Sequence, residues 1–279
     1  MPNSRKAGYA KYTMVFHDLQ IFRDVCPFSS GVVQYPPEKK TAQNGTGKGA
    51  RKMELPYDGS RPVRYACAVL ADCMPGALPL DPFELASRAG ILMLPLSQVE
   101  NYPLWVPYDI ADSLRMTSAV TLSYPTFCIV FRDTERDTDR LRFALFHEMG
   151  HIFMNHYRDY PETMGPARTA DPALEAEADA FALNLMAPVP IVDVIRYNRP
   201  RQARASLFGL GRTAWMRRLD TMDRDRAFVD EEMANVLIYV FRDFLLGRRC
   251  AACGKTFRDE SQTGCCPFCG APDAEWTLS

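Results

Sequence analysis

The pentapeptide His147-Glu148-Met149-Gly150-His151 constrains this 279-residue chain more than any other feature. Two histidines four residues apart on a helix project from the same face. At that spacing both imidazoles can bind one tetrahedral Zn²⁺. Glu148, one residue on, points about 100° around the axis. It is poorly placed as a ligand and well placed as a general base toward water. A chain of this composition would hold about 0.003 copies of the pattern by chance. The motif needs a helix beneath it, a third ligand from another segment and an open fourth position. Thr134 is expected to cap that helix, with Glu135 and Asp137 in the first turn, where negative charge suits the helix dipole.

A second helix is expected from about Pro172 to Met186, with Leu174, Ala178, Phe181 and Leu185 along one stripe and Ala187-Pro188 as its stop. It carries Glu175, Glu177 and Asp179. Glu175 and Asp179 share a side, at i and i+4, and Glu177 lies on the other flank of the apolar stripe. Glu175 is the expected third ligand. Asp179, one turn on, is placed to accept from the far nitrogen of a liganding histidine. A hydrolytic site of this kind also needs a donor to the oxyanion, and His156, Tyr157 and Tyr197 are the candidates.

A second metal signal closes the chain. Cys250-Ala-Ala-Cys253-Gly and Cys266-Pro-Phe-Cys269-Gly are two knuckles separated by twelve residues. Four thiolates so arranged make a closed, structural zinc site, a zinc ribbon. A segment this short buries too little core alone, so metal binding would supply its folding energy. Cys265 is left out of the set. Cys26, Cys67, Cys73 and Cys128 have no ligand spacing and are expected as unpaired thiols.

Elsewhere, Pro62 to Cys73 has helical apolar spacing. Asp81-Pro82-Phe83-Glu84 is a helix start that Gly90 ends. Ile91 to Leu96, Ser118 to Ser123 and Thr126 to Phe131 read as strands, with Tyr124-Pro125 as a tight connection between the last two. The Thr126–Phe131 strand is expected to offer an edge to an extended substrate. Between Ile191 and Leu219 shorter helical segments are expected, and a longer helix between Asp230 and Leu246. The fold class is therefore α+β. The expected division is an extension (1–55), a catalytic domain (56–225), a connecting helix (226–247) and the ribbon (248–279).

Charge is nearly balanced, at −1, which argues against bulk nucleic-acid binding. Residues 1–52 carry nine Lys/Arg against three Asp/Glu, a local +6 that leaves −7 for the rest. With the turn-rich run Glu38 to Lys52 they read as a disordered basic extension. The alternatives are a nucleic-acid-binding arm and a natural start at Met53. No secretory signal or membrane span is read, so the expected compartment is the reducing cytoplasm.

Glu-x-x-x-Asp after His-Glu-x-x-His resembles the thermolysin-like metallopeptidases. More closely, His147 to His156 (HEMGHIFMNH) and Glu175 to Pro188 (EAEADAFALNLMAP) resemble the ImmA/IrrE family. Leu78–Leu96 and Ala205–Met222 are similar to its opening helix and strand and to its helix-turn-helix-like continuation. The resemblance spans about residues 60–222. It implies a zincin-like domain, with His147, His151 and Glu175 as zinc ligands and Glu148 as base. It further implies an endopeptidase that cleaves a regulatory protein, typically a helix-turn-helix repressor. The basic extension and the terminal cysteines depart from the family pattern. A different class of reading is a DNA-associated regulator that uses Ala205–Met222 and the ribbon as contacts, with the arginines of 196–218 on phosphate and the peptidase fold as a binding module.

Overall fold

The computed structural model describes residues 59–99, 114–115, 117–122, 127–160, 171–198, 204–259, 264–273 and 276–278, all within one compact unit, Gly47–Ser279. The expectations for the 1–55 extension and the Tyr124-Pro125 connection lie outside the described residues.

The fold is α+β, dominated by helices, with two three-stranded sheets. Helix α1 (Ser60–Cys73) leads to α2 (Pro82–Ala89). Asp81 caps α2 by accepting from the Phe83 N–H, and Gly90 ends it in the left-handed region, as the sequence indicates. Strands β1 (Leu92–Pro95), β2 (Ala119–Leu122) and β3 (Cys128–Phe131) form a sheet in the order β1-β3-β2, parallel on one side of β3 and antiparallel on the other. The expected edge strand is thus the central one. Its N–H and C=O groups are used on both sides, and β2 pairs only with β3 among the described residues. One sheet face packs Leu122, Cys128 and Val130 against Val99 and Leu114. The register sends Thr121 and Ile129 to the other face, toward the next helix. With both faces covered, β3 reads as a continuous apolar run rather than an alternation.

Helix α3 (Thr138–Phe153) carries the pentapeptide in its last turns. Its cap is Asp137, not Thr134, and the Asp137 carboxylate accepts from the Arg140 N–H at 3.0 Å. Thr134 loses the role because the chain turns before it, Glu135 N–H donating to the Arg132 carbonyl. Helix α4 (Pro172–Met186) is capped by Asp171 and buried nearly all round, as its composition requires. It packs on α3 and α1. The approach of α3 and α4 is close at Gly150. A Cβ there would stand 3.1 Å from Phe181 Cδ1, 3.2 Å from Ala178 Cα and 3.3 Å from the Ala178 carbonyl oxygen.

Helix α5 (Val189–Asn198) follows α4. Residues 205–226 form two helical segments on either side of Gly209–Gly211, a 3₁₀ turn, Ala205–Phe208, and a longer helix, α6 (Arg212–Arg226). Arg218 on α6 is fully buried and bonds Asp225 at 2.7 Å, Asn184 at 3.0 Å and the Ala187 carbonyl at 2.7 Å. Stranding one member of such a network costs about 3–5 kcal/mol. The helix expected between Asp230 and Leu246 is broken at buried Phe241 into α7 (Glu231–Val240) and α8 (Arg242–Leu246). The break lets α7 pack on α1 and α5 while α8 meets the second sheet. No single helix among the described residues is long and apolar enough to cross a membrane. The bent pair α4 and α5, apolar enough in sum, is largely buried in the core.

The second sheet has β4 (Gly247–Cys250) between β5 (Thr256–Arg258) and β6 (Trp276–Leu278), all antiparallel. Its small core is Cys250, Cys266 and Trp276, with Phe257 packed edge-on to Trp276.

Candidate metal centres

The end of α3 and the first half of α4 bring three ligating atoms together. His147 Nε2 and His151 Nε2 are 3.1 Å apart. Glu175 Oε2 is 3.2 Å from His147 Nε2, and Glu175 Oε1 is 3.4 Å from His151 Nε2. A tetrahedral zinc with N and O ligands near 2.0–2.1 Å has ligand–ligand edges of about 3.3–3.4 Å. The two imidazole nitrogens lie near that edge length from each other, and each lies near it from one oxygen of Glu175, so the three side chains form a candidate metal-binding group.

Behind each histidine stands a hydrogen-bond partner. His147 Nδ1 meets Asp179 Oδ1 at 2.9 Å, and Asp179 Oδ2 accepts from Arg217 Nη2 at 2.6 Å. A carboxylate only accepts, so His147 carries its proton on Nδ1 and turns Nε2 to the centre. His151 Nδ1 meets His156 Nδ1 at 2.9 Å, and His156 Nε2 meets Glu177 Oε2 at 3.2 Å. Burial disfavours charge on His147, yet its bonds to Asp179 and Glu175 outweigh that and raise its pKa to about 10 in the metal-free chain. Burial likewise pushes Glu175 and Asp179 upward. The neighbouring histidines, with Arg217 at Asp179, win and hold both carboxyls below the usual range.

Glu148 is not in the ligand triad. Thr121, on β2, donates its hydroxyl to Glu148 Oε2 at 2.6 Å. Tyr157 lies beside this pair. Its ring is 6.2 Å from that of His151, and burial, with the charges of Glu148 and Glu175, pushes its phenol well above the ordinary value despite a hydrogen bond with Thr121. The phenol therefore keeps its proton. Of the three oxyanion-donor candidates, Tyr157 sits at the site. His156 is fully buried behind His151, where both ring nitrogens are engaged, which removes it from that role. Tyr197, near the end of α5, is 88% exposed, with no contact to the centre shown. Thr121 was not legible in the sequence. Its only signal is a hydroxyl within an apolar strand.

The second centre is built locally. Cys250, Cys253, Cys266 and Cys269 place their sulfurs within 4.8 Å of one another. Cys250 Sγ is 3.7 Å from Cys269 Sγ, and Cys253 Sγ is 3.8 Å from Cys266 Sγ. The edge of a zinc–thiolate tetrahedron at 2.3 Å per bond is about 3.8 Å. Both knuckles use the same backbone pattern. Gly254 N–H donates to the Cys250 carbonyl and Cys250 N–H to the Lys255 carbonyl, while Gly270 and Cys266 repeat this with Cys266 and Ala271. Gly254 and Gly270 sit at φ +72° and +74°, which favours glycine. Burial raises the Cys266 thiol, but the N–H groups of Phe268 and Cys269 pull it down to about 7, toward the thiolate. Cys265 is exposed and outside the cluster.

Three of the arginines proposed for nucleic-acid contact have partners or burial within the protein. Arg217 holds Asp179, Arg218 is buried, and Arg196 donates to the Met222 sulfur. Comparison of the chain with family models, with curated proteins and with solved structures gives no match.

Proposed function

We propose that this chain is a zinc-dependent endopeptidase with a zincin-like catalytic domain, similar to the ImmA/IrrE family. Its substrate in this reading is a regulatory protein, a helix-turn-helix repressor, met in the cytoplasm. The observation that carries the reading is the convergence of His147, His151 and Glu175, each imidazole Nε2 within 3.4 Å of a Glu175 oxygen, with Glu148 beside them and outside the ligand set.

Zinc held by those three residues would polarise a scissile carbonyl and acidify a water. Glu148 takes the proton of the attacking water and delivers it to the leaving amine. Thr121 holds the Glu148 carboxylate through its Oε2, which keeps the base oriented. Tyr157, protonated and adjacent to Glu148 and Glu175, donates to the oxyanion. An extended substrate segment adds along β2, whose outer side has no partner strand among the described residues. The four-cysteine centre is structural and takes a second zinc.

The test is Glu148→Gln. The variant is expected to bind zinc as the parent does and to cut a small helix-turn-helix repressor, encoded beside this chain, about 10²–10⁴-fold more slowly. Cleavage followed by intact mass spectrometry reads the loss. Cleavage at the parental rate would overturn the assignment.

A further inference from the structure

His147 is backed directly by a carboxylate, whereas His151 is backed by a third histidine. We propose that His156 is a positioning residue. It relays the buried Glu177 carboxylate to His151 and so locks His151 in the tautomer that presents Nε2 to a metal. The inference rests on the metal-binding part of the reading above and does not depend on peptide hydrolysis.

The argument is an accounting of protons. The two Nδ1 atoms of His151 and His156 lie 2.9 Å apart, so one proton must lie between them. If His151 Nε2 is to offer a lone pair to a metal, that proton belongs to His151 Nδ1. His156 Nδ1 is then the acceptor, and the proton of a neutral His156 sits on Nε2. That atom faces Glu177 Oε2 at 3.2 Å, and a carboxylate can only accept. Each donor therefore meets an acceptor along the whole line from Glu177 to the metal position. The opposite arrangement on neutral rings sets the His156 Nε2 lone pair against the carboxylate.

The relay is closed at its far end by Arg61 of α1. Arg61 Nη1 is 3.5 Å from Glu177 Oε2, and Nη2 is 3.5 Å from Asp159 Oδ2 while also donating to the Met154 carbonyl. This guanidinium balances the charge of a carboxylate that is otherwise buried. It also ties α1 and the turn after α3 to the same line. Glu177 thus has an assignment distinct from its neighbours Glu175 and Asp179. It faces away from the centre and acts on it through one imidazole.

Zn²⁺ affinity at the His/Glu centre, measured by competition with a chromophoric chelator, tests the relay. His156→Phe keeps the ring volume and removes both polar atoms, and it is expected to lower the affinity about 10–100-fold. His156→Gln restores an acceptor for His151 and a donor for Glu177, and is expected to recover most of that loss. Long-range ¹H–¹⁵N spectra of the unaltered chain supply an arm that needs no variant. They should show the proton on Nδ1 of His151 and on Nε2 of His156. An affinity for His156→Phe within twofold of the parent, or a proton on His151 Nε2 in the zinc-loaded chain, would overturn the proposal. If the parent takes no zinc at this centre, the peptidase reading falls, and the metal-free tautomer of His156 still decides the relay.

Discussion

The two candidate metal centres differ in how they are assembled. The four-cysteine group is written in two five-residue turns with one repeated backbone pattern, and each turn aims two sulfurs inward by itself. The His/Glu group exists only because α3 and α4 pack closely. Its ligands are further held by residues from α1, α4, α6 and the turn after α3. The first centre is therefore shaped by its own two turns, in a region whose core is little more than Cys250, Cys266 and Trp276. The second is shaped by helix packing before any ion arrives. A local centre and a preorganised one should respond differently to the same perturbation.

The strongest test of that contrast is Cys250→Ser with Cys253→Ser. Metal content is expected to fall from two zincs per chain to one. Hydrogen exchange should rise across 247–278 while α3 and α4 stay protected. Loss of both zincs together would break the comparison.

Acidity separates the centres next. In the metal-free chain His147 holds a proton up to about pH 10, so zinc must displace it. Below that pH, affinity at the His/Glu centre is expected to fall about tenfold per unit as pH drops, since one proton is released per zinc bound. Glu175 does not compete, because its carboxyl is held low. At the cysteine centre Cys266 is pulled down to about 7 and Cys269 is pushed up to about 12, so more than one proton leaves and the slope is steeper. Chelator competition between pH 6 and 8 reads both slopes, and equal slopes would refute the distinction.

Asp179→Asn comes third. It can still accept from His147 but lacks the charge, and a loss of zinc affinity of about 10-fold is expected, confined to the His/Glu centre. Arg217→Gln should have the smallest effect. Arg217 is half exposed, and a screened ion pair of this kind contributes about 0.2–1 kcal/mol, a few-fold in affinity at most.

The same contrast explains what could be read from the sequence. The knuckles were legible because ligand spacing and glycine position are both local. The pentapeptide, the helix of Glu175 and the cap Asp81 were legible for the same reason, whereas Asp171 emerges as a cap only in the structure. Thr134 and Asp137 are equally good capping types, and only the turn at Arg132 decides between them. The central place of β3 depends on β1 pairing with it across 32 intervening residues, which no local pattern encodes. Thr121, Arg217 and Arg61 act through tertiary contacts alone. For His156 a signal existed. It is the third histidine within ten residues, and Glu177 stands on the flank of α4 that does not face the ligands.

Gly150 occupies a position that the His-Glu-x-x-His formula leaves blank. In this molecule the blank is filled from outside, by the Ala178 backbone and the Phe181 ring of the facing helix. The distance between those backbones sets whether the Glu175 oxygens arrive at bonding range of both imidazoles. Anyone grafting the five letters onto a new scaffold would therefore have to graft a groove as well. The portable unit is a glycine-alanine crossing with three ligands hung on it, and the histidines are its most visible part.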